Sequence, residues 1–225
     1  MFKKIQHSTL NIQPSTFNIQ NMNIIINIGR QIGSGGHDIG KMLAREFDAK
    51  FYDRELLNLA AKESGFSEKL FEQNDEKKGF LRGLFNLHSP YVSSGSLYKS
   101  DLSQENLFQF QSDAIKKAAQ EGNCVFMGRC ADYVLRNEPQ VVNVFITSPK
   151  RYRIDQVMAE RNLDVQAAKK YIEQAESRRA RYYNYYTGKK WGHASSYHLC
   201  VDSTVLGLEE TARFIAEFIR KRIKI

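Results

Sequence analysis

Apolar residues along this chain follow two rhythms, short uninterrupted runs and helically spaced series, and the switches between them mark out the elements. Ile24, Ile25, Ile26 and Ile28 form a β-branched run without charge, the pattern of a strand buried on both faces of a parallel sheet, and Gly29 is expected to end it. From about His37 the spacing turns helical through Ile39, Met42, Leu43 and Phe47. AKFYDREL at 49–56 predicts a brief extended piece ending in Asp53, followed by helices over 54–63 and 67–76, the second capped by Ser67. Residues 77–100 carry little periodicity and read as a mobile surface segment. Helical spacing resumes over 103–120, and Gly122 stops it. Apolar runs at 123–127, 141–147 and 198–202 predict three more strands, with helices beginning near Asp132 and spanning 150–161, 164–186 and 208–221. Buried strands alternating with helices imply an α/β fold, a three-layer parallel sheet with helices on both faces.

Residues 1–21 fit neither rhythm. STLNIQP at 8–14 is nearly repeated as STFNIQN at 15–21, a polar duplication that predicts a disordered tail and leaves 22–225 as the folded domain. Of the 225 residues 42% are hydrophobic and 26% charged, and no apolar run is long enough to span a bilayer, so a soluble cytoplasmic protein is expected. Cys124, Cys130 and Cys200 lack zinc-site spacing and read as small hydrophobes. The net charge of +8 favours anionic partners, and its excess gathers between Lys150 and Lys190 as RYR, KK, RRAR and GKK.

Charge of that sign gains meaning beside the glycines. Gly29, Gly33, Gly35 and Gly36 fall within eight residues between the first strand and helix, the order in which a backbone wraps a phosphate. Ser34, His37 and Asp38 complete the loop. The Walker A register puts Gly36 at the lysine position and Asp38 at the magnesium-binding hydroxyl position. Arg30 or His37 is a candidate to replace the lysine; Asp38 is either a metal ligand or a plain helix N-terminal charge. The run ending at Gly128 repeats the strand, glycine, helix order and would place Arg129 in the same crevice, with Asp132 at the helix start. In RRARYYNYY, Arg178 and Arg181 are three apart and expected on one side, with Arg179 between them. Residues 187–197 predict an exposed basic loop with Trp191 at its tip. Asp53 and Asp202 each suit a capping role as well as a ligand role.

The order GxxGSGG, FYD, GR after a strand, RRAR and a strand ending VDST resembles the P-loop nucleoside monophosphate kinases, most closely the cytidylate kinase-like family, over about residues 22–222. The resemblance implies that Gly29 to Gly36 hold the donor phosphates of ATP with Mg2+. It also implies that a segment at about 53–104, with Asp53, Arg129 and Asp132, receives a small acceptor, a nucleotide or similar molecule. A lid at about 176–197 would bring Arg178, Arg179 and Arg181 over both. Neither nucleic acid nor a membrane is an expected partner. Cys130 stands where that family's GRD aspartate would be, and Met127 where an acid precedes the glycine. Two alternatives remain open at this stage: a nucleotide-binding regulator without catalysis, or a kinase of a non-nucleotide metabolite. A nucleic-acid binder using the interleaved tyrosines and arginines would leave the glycine loop without a purpose.

Overall fold

The computed structural model describes residues 23–53 and 104–225, without the side chains of 104–107; the predicted tail, the helices over 54–63 and 67–76 and the segment 77–100 lie outside the described residues. Five strands form one sheet: β1 (Ile25–Arg30), β2 (Lys50–Tyr52), β3 (Cys124–Met127), β4 (Val141–Thr147) and β5 (Leu199–Asp202). Their order is β2-β3-β1-β4-β5 and every pairing is parallel. Six helices connect or flank them: α1 (Gly36–Glu46), α2 (Gln104–Glu121), α3 (Ala131–Val134), α4 (Lys150–Arg161), α5 (Val165–Thr187) and α6 (Ser203–Ile223).

Side-chain alternation divides the core. Ile26 and Ile28 of β1 join Val142, Val144 and Ile146 of β4 against Ile39 and Leu43 of α1 and Ile215 and Ile219 of α6. Ile25 faces the other way with Phe126, Tyr52 and Val141, onto Ile115 and Ala118 of α2 and Ala131 of α3. Each fully buried isoleucine or leucine contributes on the order of 1.5–3 kcal/mol. A third cluster, with Ile154, Val157, Ala168 and Ile172, clamps α4 to α5.

Most predicted elements are found, and the departures are informative. Gly29 does not end β1, which runs on to Arg30 because Gly29 and Arg30 pair with Phe145 and Ile146 of β4. The last helix begins at Ser203, capped by Asp202, and breaks at Gly207 (φ 77, ψ 169), so the expected start at Leu208 is its second segment. Asp164 likewise caps α5, accepting from the Ala167 amide. Residues 187–197 are not a fully exposed loop: Trp191 is half-buried, edge-on to Phe145 at 5.3 Å, and Ala194–Ser196 make a 3-10 turn. Cys124 and Cys130 are buried as expected, whereas Cys200 is exposed; all three are free thiols. No described helix is long and apolar enough to cross a membrane.

Candidate functional site

Beyond β1 the chain turns through Gly33 (φ 74) and Gly35 (φ 69) into α1, both in the left-handed region that a Cβ disfavours. Space forbids a Cβ as well: at Gly33 it would sit 2.6 Å from the Arg153 carbonyl oxygen, and at Gly35 it would collide with Leu208. Ser34 is fully buried; its hydroxyl donates to the Gln31 carbonyl (2.9 Å), and its own carbonyl accepts from Ser203 Oγ (2.7 Å). The loop is thereby held from both sides, and the amides of Gly33, Ser34, Gly35, Gly36 and His37 find no acceptor among the described residues. Five adjacent N–H groups at the positive end of an 11-residue helix form a ready anion site.

Arg30 explains the glycine at the lysine position. A Cβ on Gly36 would lie 2.8 Å from Arg30 Cβ and 3.0 Å from Arg30 Cδ, so the arginine stem already crosses that spot. Burial lowers the Arg30 pKa while the charges of Asp38 and Asp53 work against that lowering. A guanidinium is protonated at neutral pH regardless, so a half-buried cation stands beside the loop. The Arg30 carbonyl accepts from Arg179 Nη1 (2.8 Å). His37 meets Phe51 edge-on at 5.3 Å, and burial, followed by the charges of Arg30 and Lys41, lowers its pKa. Asp38 is 60% exposed, 3.8 Å from His37 Nδ1.

The long helix α5 is bolted to this loop. Glu176 Oε1 accepts from the Ile32 amide (3.2 Å) and from Arg153 Nη1 (2.7 Å), and Arg153 Nε donates to the Ser148 carbonyl (3.0 Å). Arg153 is 8% and Glu176 20% exposed, so breaking the pair would strand a charge in a poorly solvated place.

Between the loop and α5 opens a cleft of ≈ 550 Å³. On its far side β3 ends in three successive left-handed residues, Gly128 (φ 72), Arg129 (φ 57) and Cys130 (φ 57). Two of them carry side chains, a strained geometry that turns Arg129 into the cleft, 5.2 Å above the Tyr182 ring. Asp132, only 6% exposed, accepts from the Tyr183 hydroxyl (2.7 Å) and faces Lys189 (3.5 Å). Burial and the neighbouring Asp132 charge raise the Tyr183 pKa well above its ordinary value, so the phenol remains a donor. Asn27 Nδ2 donates to Asn143 Oδ1 (2.9 Å), and Asn27 Oδ1 is buried without a partner among the described residues.

Of the residues singled out in the sequence, Gly29, Arg30, His37, Asp53, Arg129 and Asp132 line this cleft, as do Arg178 and Arg179. Gly33, Ser34, Gly35, Gly36 and Asp38 belong to the adjoining loop and first helical turn. Gly29 is a strand residue; a side chain there would strike Phe145 (2.7 Å) and Tyr197 (3.1 Å). Arg181, exposed as Arg178 also is, does not line the cleft, whereas Ala175, Arg178, Arg179, Tyr182 and Tyr183 of α5 do. Of the two arginines three apart, only Arg178 therefore reaches the cleft wall. The sequence reading missed Asn27, Tyr182, Tyr183 and Tyr197. Asn27 had left a signal: it and Asn143 are the polar interruptions of two otherwise apolar strands.

Among the described residues no three His, Cys, Asp or Glu side chains are grouped to hold a metal ion. Asp38 and Asp53, both close enough to act on Arg30, are the carboxylates nearest the loop side of the cleft that could meet such an ion. One or two carboxylates suit Mg2+ when phosphate oxygens and waters fill the remaining positions.

The model of the cytidylate kinase-like family matches residues 25–205. Among solved structures, an uncharacterized protein from Eubacterium ventriosum ATCC 27560 is 25% identical, with a TM-score of 0.67 over 87% of this chain and 98% of that one. Shikimate kinase from Bacteroides thetaiotaomicron shares the fold at 13% identity, with a TM-score of 0.50 over 88% of this chain and 98% of that one. No curated protein matches the sequence.

Proposed function

The chain belongs to the cytidylate kinase-like family and has the fold of the P-loop kinases, and from that premise we propose that it moves the γ-phosphoryl group of ATP to a small anionic acceptor bound in the cleft. The observation that carries this reading is the row of amides from Gly33 to His37, without an acceptor among the described residues, beside the half-buried Arg30. Together they supply what a polyphosphate needs without a loop lysine.

ATP would bring the transferable group, and magnesium would offset part of its charge. The Gly33 to His37 amides hold the β-phosphate, and Arg30 meets the β- and γ-oxygens where a lysine does so in other P-loops. Asp38 and Asp53 would hold the magnesium ion, which would supply charge neutralisation at the phosphates. Arg178 and Arg179, on the inner face of α5, neutralise charge on the group in transfer, and the Arg179 bond to the Arg30 carbonyl ties that helix to the loop. Arg129 and Asp132 position the acceptor. Phosphoryl transfer asks for this positioning and charge neutralisation and for no covalent partner from the protein. A nucleoside monophosphate is the acceptor class we favour, since the cleft combines arginines with aromatic walls; a phosphorylated non-nucleotide metabolite is the second reading.

Titration with ADP and Mg2+ is expected to give saturable one-site binding. A panel of nucleoside monophosphates and small phosphorylated metabolites is expected to raise ADP release above background ATP hydrolysis for at least one member. No nucleotide binding would overturn the phosphate-loop assignment; binding with no acceptor anywhere in the panel would favour a regulator.

A further inference from the structure

The cleft has two ends, and they are built alike. Along α5 its wall is one helical stripe, Tyr171, Ala175, Arg178, Tyr182 and Tyr183, whose outermost members are separated by about 18 Å of helix. At one end the Arg129 guanidinium lies 5.2 Å above the Tyr182 ring, and at the other the Arg161 guanidinium lies 4.2 Å above the Tyr171 ring. Arg178 and Arg179, which serve the group in transfer, fall between the two pairs. Arg161 comes from the last turn of α4; Asn162 (φ 51) then turns the chain, and Tyr171 of α5 comes back beside it. Tyr171 and Glu160 both act on the Arg30 charge, so this end borders the phosphate loop. No step of the proposed transfer uses it.

Among the described residues Arg161 makes neither a hydrogen bond nor an ion pair, whereas Arg153 is held by Glu176 and Arg179 by the Arg30 carbonyl. Stacking on a ring occupies the flat face of a guanidinium and leaves its N–H edge open. That edge fits a carboxylate or a phosphate through two parallel hydrogen bonds. Ile32 and Ala175, both buried and packed together, line the stretch toward Arg178 and bring no competing charge. About 10 Å of helix separates Tyr171 from Arg178, more than a single phosphate spans. We propose that Arg161, held flat on Tyr171, is a second oxyanion subsite of the cleft, taking a phosphate or carboxylate other than the one in transfer. The group belongs either to the far end of a doubly charged acceptor or to a separate small anion. The inference rests on the phosphotransfer reading for the role of the neighbouring arginines, but anion binding at Arg161 can be measured without turnover.

Calorimetry on the full chain tests both sources. For the first, ligands with two anionic ends are matched with partners carrying one: adenosine 3′,5′-bisphosphate against AMP, and fructose 1,6-bisphosphate against fructose 6-phosphate. For the second, orthophosphate is titrated into the chain saturated with ADP and Mg2+. In at least one arm the native chain is expected to show the subsite, as a doubly charged ligand bound about tenfold tighter than its partner or as saturable orthophosphate binding. Arg161→Gln is expected to weaken that signal by about fivefold or more. Arg161 is exposed, so the variant should fold, which its circular dichroism spectrum checks. Tyr171→Leu, apolar but without a ring to stack on, is expected to lose about threefold, and Tyr171→Phe to match the native chain. Lys170→Gln removes an equal charge from the exposed surface of α5 off the cleft and should stay within about twofold of native. Absence of both signals in the native chain, an Arg161→Gln chain within about twofold of native, or an equal loss in Lys170→Gln overturns the proposal. Phosphoryl transfer without a second subsite would sink this proposal alone; a working subsite at Arg161 without transfer would sink the kinase reading alone.

Discussion

The turn after β1 and the turn after β3 follow neighbouring parallel strands at the carboxyl end of the sheet, and both pass through left-handed backbone before a helix begins. After β1 the left-handed residues are glycines; a Cβ at Gly33 would strike the Arg153 backbone, and one at Gly35 would require Leu208 to move. After β3 only Gly128 is a glycine; Arg129 and Cys130 take up the strained conformation with side chains attached, and a Cβ added to Gly128 would meet no atom of the described residues within 4 Å. The first turn strips itself to offer amides to an anion. The second accepts strain to aim a guanidinium. Placed at one crevice, they show that a cationic site can be assembled from main chain on one strand and side chain on the next.

The largest expected break in that contrast is at Arg30, the side-chain cation that serves the main-chain turn. Arg30→Ala is expected to lower kcat by on the order of 10³, as loss of a phosphate-neutralising cation does. Gly36→Lys alone should also impair turnover, since the new stem meets Arg30, whereas Arg30→Gly with Gly36→Lys, which removes the Cβ in the way, should regain at least tenfold over Arg30→Gly. A loss below threefold for Arg30→Ala would remove the residue from the mechanism.

Next comes stability, read by urea denaturation. Gly33→Ala combines a left-handed φ with a clash against the Arg153 backbone and is expected to cost about 2–5 kcal/mol. Gly128→Ala meets open space and should cost only about 1–2 kcal/mol. Equal losses would erase the distinction between the two turns. At Arg129 the strain itself is measurable: Arg129→Gly should be about 1 kcal/mol more stable than Arg129→Ala, while both weaken acceptor binding alike.

Protons give a smaller effect. Burial and neighbouring cations hold the His37 pKa below its ordinary value, so the unfolded chain binds more protons just below about pH 6.5. The stability given by the neutral ring is therefore complete above the unfolded-state pKa and fades as pH falls toward the lowered folded one. A bound phosphate favours the charged ring, so ADP affinity, measured by calorimetry, is expected to gain more from pH 7.5 to 6 in the native chain than in His37→Asn. An identical pH response in both would take His37 away from the phosphate. Least of all should Arg181→Ala matter, within about 0.5 kcal/mol in stability and twofold in rate; a fall matching that of Arg178→Ala would mean that α5 works through another face.

Much of this architecture was legible beforehand because buried strands and amphipathic helices are local patterns. The bounds of α4 are those read from its spacing, and α1, β3, β4 and α5 fall within a residue or so. The glycine loop was legible too, since it is contiguous. The end of β1 was not, because whether Gly29 and Arg30 stay extended depends on pairing with Phe145 and Ile146, more than a hundred positions away. Nor was the working face of α5: three-residue spacing suggested Arg178 with Arg181, but packing against the loop through Glu176 and Arg179 fixes the helix rotation and keeps Arg181 off the cleft wall.

Sequence by itself determined the alternation of strands and helices, the phosphate-type loop and the supply of arginines, because each is written in neighbouring residues or in simple periodicity. Tertiary structure alone decided that the stem of Arg30 covers Gly36, that Asn27 pairs with Asn143 and leaves an oxygen with no partner among the described residues, and that Asp132 lies beneath Tyr183. Those relations arise where separate segments meet in register and exclude water, and the strength of a charge or an unmade hydrogen bond depends on that exclusion.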